Sequence, residues 1–274
     1  MNEALAQEEI RDFAADDGSR LRIHLHGAGP TLLFLHGWTL DRHSFDAQAP
    51  LADAFRLARF DRRGCGESTA RPSLASEPGD IAAIISGLDT GPVHLLGVSQ
   101  GARLALRVAV LYPDLLRTLT VQGVILDDFI PGVDDDAPLP IDHYRELVKK
   151  GELETMRREW LAHPMLSSDD LSLADRNRLA ASVSAYSGRD LVDEQALVAA
   201  AVATPTALAS MRTPTLVMTG ERESLGRKAH AAKLVACARD AREVVLPACG
   251  HLCNLGQPDA YNRTLRAFLE DHPD

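Results

Sequence analysis

Long apolar runs are missing from this chain. No window of about eighteen consecutive apolar residues occurs, so no segment is long enough to cross a bilayer as a helix. The first residues, MNEALAQEEIRDFAADDG, are acidic and lack the apolar stretch of a secretory signal, so a cytoplasmic location is expected. Cysteine is scarce. Cys65, Cys237, Cys249 and Cys253 are expected to be reduced thiols there rather than disulfides. Basic charge is short: 29 Lys and Arg face 39 Asp and Glu, a formal net charge of −10. Nucleic acids and anionic membranes attract clustered Lys and Arg, so neither is an expected partner. The same acidity mildly disfavours polyanionic substrates. Internal repeats and low-complexity tracts are absent. What is present, 45% hydrophobic and 25% charged residues over 274 positions, suits one large α/β domain with an insertion, or two small domains.

Short apolar runs alternate with helical patterns. Strands are expected at 8–15, 20–26, 31–35, 55–60, 93–96, 116–126, 215–219 and 243–246, and helices at 78–88, 101–111 and 258–270. That alternation predicts a mostly parallel sheet with helices on both faces. Residues 130–206 break the rhythm. They open with the linker PGVDDDAPLP and continue as helical stretches at 141–149, 152–162, 169–186 and 190–202. A crossover unit is usually about thirty residues, so this block reads as a helical cap at 130–206 on a core of 1–129 and 207–274. Asp134 to Asp136, Arg157 and Arg158 read as solvated positions.

One junction carries chemistry. In LLGVSQG a strand meets a helix, with Ser99 between Gly97 and Gly101. Such a turn is tight, so small flanking residues avoid clashes, and it aims the helix N-terminus at any oxyanion forming there. A serine hydroxyl needs a base. His251, in LPACGHLCNLGQPD, lies just after the last expected strand and before the last expected helix, and is the candidate base. His36 suits a loop-shaping role, and His24 and His26 alternate along a strand. For the acid, Glu223 follows the strand TLVMT; Glu221, Asp127 and Asp128 are the other candidates. CGHLC sets two cysteines about a histidine, but zinc takes four ligands, or three and water, and no second cluster accompanies it. No metal is expected, and Cys249 and Cys253 read as packing of the histidine loop. DRRGCGES lacks G-x-x-x-x-G-K and reads as a tight turn near the site.

The pieces LFLHGW, RFDRRGCGES, GVSQG, PTLVMTGERE and CGHLCNLGQPDAYNRTLRAFL resemble α/β-hydrolase-fold enzymes over nearly the whole chain. The nearest resemblance is to the branch holding 3-oxoadipate enol-lactonases, carbon–carbon bond hydrolases and perhydrolase/esterases. It implies an α/β-hydrolase fold with a helical cap and no cofactor. Ser99 would be the nucleophile and His251 the base. Glu223 would be the acid, where these families usually have aspartate. The backbone N–H groups of Trp38 and Gln100 would be the oxyanion donors. The implied activity is cleavage of a small-molecule ester or lactone through an acyl-enzyme. The other readings are a carbon–carbon bond hydrolase of a ring-cleavage-type diketone and a non-catalytic ligand sensor. Serine at the elbow argues against haloalkane dehalogenases and epoxide hydrolases, which use aspartate there.

Overall fold

The runs TLLFL and TLVMT bury every side chain, as strands covered on both faces must. In the computed structural model, which describes residues 8–167 and 169–273, they belong to one eight-stranded sheet. Its strands are β1 (Glu9–Ala14), β2 (Arg20–His26), β3 (Thr31–Leu35), β4 (Arg56–Phe60), β5 (Val93–Val98), β6 (Leu116–Gln122), β7 (Thr215–Gly220) and β8 (Ala241–Leu246). The order across the sheet is β1-β2-β4-β3-β5-β6-β7-β8. β2 runs antiparallel to both β1 and β4, and every other neighbouring pair is parallel.

Alternation along a strand feeds two cores. Leu33 and Leu35 of β3 pack with α1 (Glu77–Leu88) and α2 (Gln100–Leu111) through Ile84, Leu104 and Val108. Leu32 and Phe34 point the other way, toward Phe45 of the 3-10 run Arg42–Asp53 and toward Tyr261 and Leu265 of the C-terminal helix. Between β6 and β7 the chain inserts α3 (Ile141–Lys149), α4 (Leu153–Leu161), α5 (Leu173–Ala185), α6 (Arg189–Val192) and α7 (Pro205–Leu208). The remaining helices are α8 (Leu225–Cys237), α9 (Cys253–Gly256) and α10 (Pro258–Glu270). Among the described residues no helix is long and apolar enough to cross a membrane.

Several expectations need correction. The strand expected at 116–126 stops at Gln122, because Gly123 turns the chain with φ +64°. The helix expected at 190–202 is only α6; beyond it the N–H groups of Val202 and Ala203 bond the Asp127 carboxylate instead of helical carbonyls. α8 and the run Arg42–Asp53 are helical elements beyond those expected. The acidic linker is not simply solvated: Asp135 and Asp136 accept from the N–H groups of Gly226 and Leu225, which the first turn of α8 leaves without acceptors. Arg157 is not solvated either. It donates to Tyr186 O, whereas Arg158 is exposed.

Asp127 fastens the returning insertion to the core. It takes Nε of Arg103 at 2.9 Å, Nε of Arg107 at 3.2 Å, and the N–H groups of Val202 and Ala203. Burial pushes its carboxyl up, but the Val202 N–H and the two guanidinium groups outweigh that and hold it at about 2. Its folded value therefore lies below its ordinary value, so its contribution to stability is complete above about pH 4 and fades as pH falls toward 2. Asp127→Asn should cost about 3–5 kcal/mol in urea denaturation at pH 7, because it leaves Arg107 buried without its partner. The variant should also lose part of the wild-type slope of stability against pH in that window.

Candidate active site

Ser99 sits where β5 ends and α2 begins, in a backbone conformation (φ 57°, ψ −118°) that L-residues rarely adopt. The surrounding backbone explains the glycines. A Cβ on Gly97 would overlap Gly101 O, and one on Gly101 would overlap Leu35 O. Ser99 N donates to Gln122 O at 2.7 Å, and Ser99 O accepts from Ala102 and Arg103 as α2 starts. Gln100 N–H lies in that first turn, where N–H groups have no intrahelical acceptor.

His251 hangs in the loop after β8, and Glu223 in the loop after β7. Both are buried, and Nδ1 of His251 lies 2.6 Å from Oε2 of Glu223. A carboxylate only accepts, so Nδ1 carries the proton and Nε2 is left free as an acceptor. Burial pushes the Glu223 carboxyl up, but the His251 ring and the Ser224 N–H hold it below its ordinary value. The other candidate acids are engaged elsewhere. Glu221 accepts from Ala248 N, Asp127 holds its arginines, and Asp128 is exposed. Ser99 and His251 line one small cavity without a hydrogen bond between them, under Trp160 and Met165 of the insertion.

The loop after β3 is held by buried polar groups. Arg62 N–H donates to Nε2 of His36, which leaves the His36 proton on Nδ1, 2.9 Å from Gly37 O. Burial, and then the Arg62 charge, push His36 down to about 4, so it stays neutral and shapes the loop. The Arg62 guanidinium pairs with Glu77 and also reaches His36 O and Oε1 of Gln100. The backbone N–H of Trp38 has no acceptor among the described residues. Trp38, Ser99 and Gln100 line a cavity of about 210 Å³, partly walled by Leu139 and Ile141 of the insertion.

Residues 32–264 match the family model described as Alpha/beta hydrolase family. The chain belongs to the alpha/beta hydrolase family. It is 28% identical over 267 residues to 2-(acetamidomethylene)succinate hydrolase of Mesorhizobium japonicum, covering 91% of each chain. A crystal structure of a hydrolase from Pseudomonas aeruginosa is similar at TM-score 0.78 and 25% identity, over 95% of this chain and 98% of that one. The enol-lactonase from Burkholderia xenovorans shares the fold at TM-score 0.77 and 20% identity, over 95% of this chain and 100% of that one.

Within this alpha/beta hydrolase, the sequence does not show the side-chain hydrogen bonds that join distant segments. Trp38 Nε1 donates to Oδ2 of Asp190 at 2.7 Å, and Tyr186 OH donates to the same carboxylate. The Trp38 ring also packs against Tyr144, Trp160 and Tyr186, and Trp160 Nε1 donates to Thr39 Oγ1. Gln122 Nε2 holds His251 O at 2.7 Å. Cys249 and Cys253 are buried free thiols beside His251, with Cys249 donating to Leu246 O. Gly123 had a readable signal: a glycine inside an apolar run marks a close backbone approach. Here it meets the His251 ring, which a Cβ would overlap. Gly123→Ala should therefore displace the imidazole. In proton NMR the low-field His251 Nδ1–H signal should shift or vanish, whereas Gly132→Ala, with nothing within 4 Å of its Cβ, should leave it in place.

Proposed function

We propose that this chain is a serine hydrolase that cleaves a small-molecule carboxylic ester or lactone through an acyl-enzyme. The observation that carries the reading is the buried Glu223–His251 hydrogen bond, placed beside a serine in a strained strand-to-helix turn. His251 Nε2 takes the Ser99 proton as Oγ attacks the carbonyl, and Glu223 stabilises the imidazolium that results. The N–H groups of Trp38 and Gln100 receive the oxyanion. His251 then gives its proton to the leaving alkoxide, and a water activated by the same nitrogen releases the acid. The Ser99–His251 hydrogen bond, absent here, forms in the substrate complex. The insertion acts as a cap, since Trp160, Met165 and Leu139 wall the cavity that Ser99 and His251 share. We place the enzyme in the cytoplasm, where its free thiols stay reduced.

A fluorophosphonate should form one covalent adduct, on Ser99, read by mass spectrometry. Ser99→Ala should remove the adduct and the hydrolysis of p-nitrophenyl acetate while the circular dichroism spectrum is retained. Glu223→Gln should lower kcat by about 10³–10⁴, since the histidine loses its tautomer and its stabilised cation. Asp128→Asn, on an exposed carboxylate, should match the wild type. A folded Ser99→Ala enzyme with wild-type turnover would overturn the reading.

A further inference from the structure

Four arginines are buried among the described residues: Arg62, Arg63, Arg107 and Arg227. Three are ion-paired in the core, with Glu77, Asp80 and Asp127 respectively. Arg227, only 7% exposed, is the exception. Among the described residues no carboxylate lies within ion-pair reach of it, and its guanidinium makes one hydrogen bond, from Nη1 to Gly123 O at 3.1 Å. A guanidinium has five N–H donors. The nearby acids are committed: Glu223 to His251 and Ser224 N, Asp135 to Gly226 N and Ala137 N. Burial pulls the Arg227 guanidinium below its ordinary range by more than Glu223 and Asp135 restore.

Arg227 lines both cavities that contain Ser99. In the larger, Arg103 is a second cation, and its partner Asp127 is shared with Arg107. The rest of that wall is mainly apolar, with Ile125, Leu139, Ile141 and Leu197. A buried, unpaired guanidinium is costly to hold and selects a planar anion that accepts two parallel N–H bonds. We infer that Arg227 is a specificity residue that binds a carboxylate carried by the substrate, so that the preferred substrate is the half-ester of a short dicarboxylic acid or its amide or lactone equivalent. The position of the scissile bond rests on the hydrolase reading above; the carboxylate site itself does not.

The test compares ethyl hydrogen glutarate with diethyl glutarate by pH-stat. The wild type should favour the half-ester in kcat/KM by about ten- to a hundredfold, the range of a hydrogen-bonded charge. Arg227→Gln should bring that ratio toward one, mainly through KM, and Arg227→Lys should restore part of it as a point charge without the fork. Binding is read separately by calorimetry, with glutarate titrated into Ser99→Ala enzyme; adding Arg227→Gln should abolish it. Glutarate binding without any ester cleavage would keep the site and remove the hydrolase reading. Labelling of Ser99 with no preference for the half-ester and no glutarate binding would do the reverse. An equal loss on both esters in Arg227→Gln would make Arg227 structural and overturn the inference. Should that variant fail to fold, the wild-type ratio and the Arg227→Lys enzyme decide the matter.

Discussion

Ser99 holds a backbone conformation that L-residues avoid, at a cost of about 1–3 kcal/mol, and the centre of the molecule is arranged to keep it there. Gly97 lets the start of α2 lie on the end of β5, and Gly101 lets the same turn lie on the end of β3. A methyl group at either position would lift the helix from the sheet. Gln122 closes the arrangement from β6. Its carbonyl takes Ser99 N, while its side chain takes His251 O. One buried residue thus sets the position of the serine and of the histidine relative to the same strand.

The charged groups around this turn work chiefly as positioning devices. A buried ion pair loses much of its Coulomb energy to desolvation, so its main effect is geometric. Arg62 illustrates this. Its pairing with Glu77 leaves donors for His36 O and Oε1 of Gln100, which ties the loop after β3 to the first residue of α2. Asp190 does for the insertion what Glu77 does for that loop. Its carboxylate accepts from Trp38 and Tyr186, fixing the indole against the insertion at the wall of the cavity.

The parts legible in the sequence were those decided locally or by chain order. The elbow glycines lie within two positions of Ser99, and the residues that meet at Glu223 and His251 each follow a strand of a parallel sheet. Topology alone therefore brings those loops to one end. The illegible parts depend on partners that no short window contains. Trp38 and Asp190 are 152 positions apart, and Asp136 and Leu225 are 89 apart. α8 escaped notice because small or isolated residues, Ala231 and Leu234, carry its buried face, while its polar residues dominate the pattern. Nothing in that short window marks Arg227, which the fold encloses.

Whole-chain charge misleads for the same reason. A net charge of −10 describes a surface, and mobile ions screen surface carboxylates over about 8 Å at physiological salt. The field inside a cavity of about 210 Å³ comes from the few groups that line it. There Arg227 stands unpaired, and Arg103 shares one carboxylate with Arg107. The sign in the cavity is opposite to the sign of the molecule. An acidic exterior slows the approach of any anion at low ionic strength without weakening the attraction such a cavity exerts within, because desolvated charges interact far more strongly than screened ones.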